Sequence, residues 1–153
     1  MNATIELLSK QHQEVLARLQ AVESGFAACG ANNAVEDFVG YLESDVAHHF
    51  ALEEHALFPL LARHLSLTQG PLAVMNAEHT TFRELMRSLG TGLREGNIEQ
   101  QHRCTQELIE LLRAHIAKED NVLFPMADRM LSPDEHCEVD SRAAALERPG
   151  TAG

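Results

Sequence analysis

Tryptophan is absent from this 153-residue chain and tyrosine occurs once, so large aromatic rings contribute little to its core. Positive charge is scarce: 12 Lys and Arg face 23 Asp and Glu, a formal net charge of -11. Nucleic acid and anionic membrane both require a basic face, so neither is an expected partner. No apolar run approaches the ~18 residues of a membrane span. The N-terminal MNATIELLSKQHQEV has no basic segment followed by an apolar one, so no secretory signal is read and a cytoplasmic location is expected. Cys29, Cys104 and Cys137 are odd in number, widely spaced and without a C-x-x-C pair. That suits reduced thiols rather than a disulfide framework.

What is present is a helical composition with nine histidines. Leu, Ala, Glu, Gln and Arg dominate, all good helix formers. The length fits one domain with its own core, read as residues 1–146, followed by a disordered tail over 147–153. Four long amphipathic segments are expected. The first runs from about Thr4 to Cys29 and stops at Gly30; the second runs from about Ala34 to His64. The third runs from near Pro71 to around Gly92, and the fourth from about Asn97 to Leu131. Loops this short make neighbouring helices antiparallel, which predicts an all-α, up-down-up-down four-helix bundle. Pro59 and Pro125 fall inside helical patterns and should kink or end them. Ser132-Pro133-Asp134-Glu135 reads as a capping box that starts a short fifth helix.

The apolar seams are read at steps of three and four. Helix one presents Ile5, Leu8, His12, Val15, Leu19, Val22 and Phe26. Helix two presents Val39, Leu42, Val46, His49, Glu53, Ala56 and Leu60. Helix three presents Leu72, Met75, His79, Phe82, Met86, Leu89 and Leu93, and helix four Cys104, Leu108, Leu111, His115, Glu119, Val122 and Met126. Each stripe is broken by His, or by His and Glu. The halves also repeat. Residues 49–59 and 115–125 both read H-x-x-x-E-[ED]-x-x-L-F-P at an offset of 66, and His12 and His79 are offset by 67. One hairpin used twice accounts for both.

A histidine and a glutamate four residues apart lie on one helical face. Buried carboxylates are costly as bare anions, and no Lys or Arg occupies these seams. Two divalent ions would supply the missing charge. On this reading His12 and His49 bind one ion, His79 and His115 the other, and Glu53 and Glu119 bridge. The ions would lie roughly 3.5–4 Å apart, as in other two-metal sites. Each ion keeps room for water, an oxo or hydroxo bridge, or a small ligand. Mixed nitrogen and oxygen ligation favours two Fe ions over Mn or Zn.

These residues resemble the hemerythrin-like, HHE cation-binding family. That family carries a His on helix one, H-x-x-x-E on helix two, a His on helix three and H-x-x-x-E on helix four. The resemblance covers about residues 4–131. The oxygen-carrying members have a further His where this chain has Met75, and tend to use Asp five residues after the helix-four His, here Asp120. Helical phase favours Glu119, because a fifth residue rotates off the seam. Met75 argues against simple oxygen carriage. His48, beside the seam, is read as a supporting residue, a replacement ligand or a surface residue. His55, His64, His102 and His136 are read as solvated, and Tyr41 as off the stripe.

The resemblance implies a non-haem di-iron protein that handles oxygen, nitric oxide or iron itself, in sensing, iron-centre repair or oxidative-stress response. A di-iron enzyme activating oxygen or peroxide is the alternative, although no dedicated acid, base or substrate pocket is legible. A metal-free helical interaction protein is the third reading.

Overall fold

The computed structural model describes residues 2–29 and 32–151, with side chains described except at 26–33 and 147–151. Among the described residues there are helices and no strands. The first helix is Ala3–Cys29. The second helical run covers 32–61, the third helix is Pro71–Glu95, the fourth run covers 98–130, and the fifth helix is Pro133–Thr151. The expected stop at Gly30, the Phe26 and Cys29 side chains, the side chains of 147–151 and the whole of 152–153 fall outside what is described, while the backbone of the tail read from 147 continues the fifth helix to Thr151.

The turn between the third and fourth helices uses two residues. Gly96 takes φ 65°, a left-handed conformation open to glycine, and its N–H donates to Leu93 O. The Asn97 N–H donates to Gly92 O at 2.9 Å, completing the helix stop. Asn97 then caps the next helix by accepting from the Gln100 N–H at 3.1 Å. The third helix thus passes the expected end at Gly92. That glycine serves close packing instead, since a Cβ there would meet Gln100 Cγ at 3.3 Å.

The fifth helix starts as its sequence directs. The Glu135 N–H donates to Ser132 Oγ and the Ser132 N–H to Glu135 Oε1, a reciprocal capping box. The helix spans 19 residues rather than a short turn. Val139 and Ala143 enter the core, and Asp140 accepts from the Thr4 N–H and hydroxyl, tying this helix to the first.

Neither Pro59 nor Pro125 ends its helix at the proline. Each follows a five-residue π-helical turn, Glu53–Leu57 and Glu119–Leu123, closed by the Phe58 and Phe124 N–H groups donating five residues back to Glu53 O and Glu119 O. The wider turn gives room where a proline ring would strike the carbonyl four residues before it. A third π turn spans Leu42–Val46.

The inserted residue also shifts the seam. Val122, read as core, is 46% exposed, and Leu123 takes the buried place at 1%. Higher up the same run Leu112 is buried, while Leu111 is only partly so. Tyr41 departs from expectation too. It is buried, and the Arg18 guanidinium lies 4.6 Å from its ring centroid.

Two apolar clusters form the core. One gathers Ile5, Leu8, Leu52, Leu72, Met75, Leu123 and Phe124. The other gathers Val15, Leu19, Val46, Phe50, Phe82, Leu89 and Leu108. His12 lies in sequence between Leu8 and Val15, and His79 between Met75 and Phe82, one residue from each cluster on either side. A polar layer therefore separates two dry halves.

Candidate metal centre

Ten polar or charged side chains are buried among the described residues, and six of them are His12, His49, Glu53, His79, His115 and Glu119. Both glutamates have no exposed surface. Ligand atoms of His12, His49, Glu53 and Glu119 lie within 4.8 Å of one another, as do those of Glu53, His79 and His115. Glu53 belongs to both groups. Glu119 also reaches the second, with Oε1 3.4 Å from His115 Nε2.

The orientation of the imidazoles is uniform. Every Nδ1 points outward to an oxygen acceptor: Asp120 for His12 at 2.9 Å, Gln11 for His49 at 2.8 Å, Glu54 for His79 at 2.6 Å and Glu78 for His115 at 2.9 Å. A carboxylate or amide oxygen there fixes the proton on Nδ1. Every Nε2 then faces inward with a lone pair. His12 Nε2 lies 3.2 Å from His49 Nε2 and 3.0 Å from Glu119 Oε1; His79 Nε2 lies 3.1 Å from Glu53 Oε1.

Inward nitrogen lone pairs and acceptor-only carboxylates need a donor or a cation between them. Glu53 Oε2, Glu119 Oε2 and His115 Nε2 are buried without a hydrogen-bond partner. His49 Nε2 comes within 3.3 Å of Glu53 Oε2, but without hydrogen-bond geometry. Unsatisfied buried atoms of this kind carry a penalty that a cation would lift. The donor set therefore fits metal. The polar partners outside it fit as well, since a ligating His ordinarily donates its other N–H to an oxygen.

Aromatic rings close the site against water. Phe50 stacks on His79 with centroids 3.8 Å apart, and Phe124 lies parallel to His12 at 5.4 Å. Further out, Arg83 donates to both oxygens of Glu54, Lys118 donates to Glu78, and the Ser9 hydroxyl donates to Asp120.

The outer partners are the part that sequence reading missed, although each is a neighbour of a seam residue. Gln11 and Glu78 precede His12 and His79; Glu54 and Asp120 follow Glu53 and Glu119. Asp120, weighed as a bridging ligand, instead supports His12 from outside, while Glu119 takes the interior. Of the histidines read as solvated, His55, His64 and His102 are exposed. His136 is half-buried, with its Nε2 donating to Asp128 O at 3.1 Å. His48 is half-buried beside the layer.

The Hemerythrin HHE cation binding domain pattern matches residues 3–127. The chain belongs to that family. Iron-sulfur cluster repair protein YtfE from Escherichia coli (strain SMS-3-5 / SECEC) is 31% identical over 100 residues, covering 59% of this chain and 45% of the relative. The protein of the same name from Escherichia fergusonii matches to the same extent. This HHE-family chain thus aligns with less than half the length of those relatives. No solved structure matches it. No helix among the described residues is long and apolar enough to cross a membrane.

Without metal, the layer must hold protons. Burial opposes a charge on His49, yet Glu53 and Glu119 outweigh it and raise its pKa to about 9. Burial likewise opposes a charge on His115, and Glu119, Glu53 and Glu78 push its pKa up to about 12. Glu53 is opposed by burial but held well below the usual carboxylate range by His49 and His115. A raised histidine pKa stabilises the fold fully below the unfolded value near 6.5, and that stability fades as pH rises through the folded value. Metal-stripped protein is therefore expected to lose stability between pH 6.5 and 9 and beyond, by chemical denaturation at each pH. A flat profile over that window would remove the imidazolium pairs from the account.

Proposed function

We propose that this chain is a non-haem di-iron binding protein that handles a small ligand, oxygen or nitric oxide, or iron itself. His12 and His49 would hold one ion, His79 and His115 the other, and Glu53 and Glu119 would serve both. The scaffold is read as an up-down-up-down four-helix bundle over about residues 4–131, in the cytoplasm. The observation that carries this reading is the set of four imidazoles held by their outer N–H groups with every Nε2 turned toward two buried carboxylates.

Two iron ions would supply open coordination positions for a diatomic molecule and a reversible change of charge. The protein's share is positional. The outer acceptors lock the rings, Glu53 and Glu119 offset cationic charge, and Phe50 and Phe124 keep water out. Among sensing, repair and oxidative-stress response, the likeness to iron-sulfur cluster repair protein YtfE favours iron-centre repair.

Nitrogen–oxygen ligation by itself also accepts manganese or zinc, so the test is direct. Metal-free protein reconstituted anaerobically with ferrous iron is expected to retain two irons per chain after desalting. Retention well under one iron sinks the reading. Optical spectra of the reduced protein before and after oxygen and nitric oxide then separate reversible ligand binding from irreversible oxidation.

A further inference from the structure

The sequence repeat makes the two halves of the centre comparable residue by residue. His12 corresponds to His79, His49 to His115, Glu54 to Asp120, and Gln11 to Glu78. Three of the four imidazoles donate Nδ1–H to a carboxylate: His12 to Asp120, His79 to Glu54 and His115 to Glu78. The fourth departs. His49 faces the neutral amide oxygen of Gln11 at 2.8 Å, where the repeat places Glu78 opposite His115 at 2.9 Å.

The geometry points to two unequal ion positions, with Gln11 making the His12–His49 position the weaker and exchangeable one. This rests on the two-ion reading above. A carboxylate is the stronger acceptor because it is charged, and it pulls the Nδ1 proton outward. That leaves Nε2 more electron-rich and a better ligand; losing such a partner ordinarily costs 10–100-fold in metal affinity. An amide oxygen draws on the proton less, so His49 is the poorest donor of the four.

The outer cations act in the opposite sense. Arg83 and Lys118 pair with Glu54 and Glu78 and offset their charge, whereas Asp120 has the Ser9 hydroxyl. Taken alone, this would leave the His12–His49 half more negative. The cations, however, are 52% and 46% exposed, so water and salt screen them. The acceptor touching the imidazole acts at hydrogen-bond distance on a ring that is nearly sealed from solvent. The nearer, drier interaction decides. A centre built this way can release one ion while the other continues to neutralise the buried glutamates.

Anaerobic titration of the metal-free chain with ferrous iron, in competition with a chromophoric chelator, tests this. Two binding steps separated by about tenfold or more are expected, the scale of one outer partner. Gln11→Glu should tighten the weaker step by about tenfold and leave the stronger unchanged. Glu78→Gln should weaken the stronger step by a similar factor. Thermal melts of the metal-free variants check folding, and should Glu78→Gln not fold, Gln11→Glu alone decides. Two irons bound with matched affinity, or a Gln11→Glu variant that moves the stronger step or neither, overturns the inequality. No bound iron in wild type or variants overturns the two-ion reading itself.

Discussion

Iron-loaded protein is expected to unfold about 20 °C above the same protein stripped with a chelator. A ligand that binds only the native state stabilises it by about 4 kcal/mol when present at a thousand times its dissociation constant. Two such ions give about 8 kcal/mol, and each kcal/mol moves the midpoint of a domain this size by roughly 2–4 °C. The native state alone brings His12, His49, Glu53, His79, His115 and Glu119 together from four helical segments, so the unfolded chain offers no comparable site. Calorimetry of loaded and stripped protein at one pH measures the difference. A shift of only a degree or two would mean that the layer satisfies itself with protons and that metal is incidental to it.

The reason so large a share of this site was legible lies in its spacing. H-x-x-x-E places two ligands on one face of any helix, and the repeat makes the coincidence visible twice. The inside of the layer could be read because apolar stripes interrupted by His and Glu are rare enough to mark a depth. The outside could not. Gln11, Glu54, Glu78 and Asp120 look like ordinary solvated residues of helices rich in acid. Only the packing of one helix against the next turns them toward Nδ1 atoms. Their one sequence signal is adjacency to a seam residue in both copies of the repeat.

The fold failed to be legible where the helix changed its own period. An ideal spacing carried past Glu119 puts Val122 inward, but the π turn adds a residue and delivers Leu123 instead. The same L-F-P that suggested a break is the reason. Proline at 125 cannot donate, the carbonyl four residues earlier must move away, and the wider turn solves both problems without ending the helix. The π turns begin at Glu53 and Glu119 themselves, so the device that accommodates the prolines sits against the ligands. A proline that reads as an interruption is thus part of what shapes the site.

Glu119→Leu is expected to have the second large effect, with a sign that depends on pH. Glu119 Oε1 contacts His12 at 3.0 Å, His115 at 3.4 Å and His49 at 3.8 Å, so its loss disturbs both halves. Iron retention should fall from two ions to well under one. In the metal-free protein the variant leaves buried imidazoles short of a carboxylate. Removing one partner of a buried pair typically costs about 3–5 kcal/mol when the other must stay charged. At pH 8 the imidazoles escape that cost by releasing protons. At pH 5 the wild-type imidazolium pairs contribute in full, whereas in the variant Glu53 alone of the two buried glutamates is left to offset the burial of His49 and His115. Losing Glu119's share of the upward shift shrinks the stability that these histidines hold below pH 6.5, and the difference from wild type narrows as pH rises toward the folded values. Metal-free Glu119→Leu should therefore be much less stable than wild type at pH 5 and closer to it at pH 8. A metal-free helical interaction protein would show the contrary result, with the leucine neutral or stabilising at both pH values. Denaturant melts of the two metal-free proteins at pH 5 and pH 8 separate these outcomes without any assay of activity.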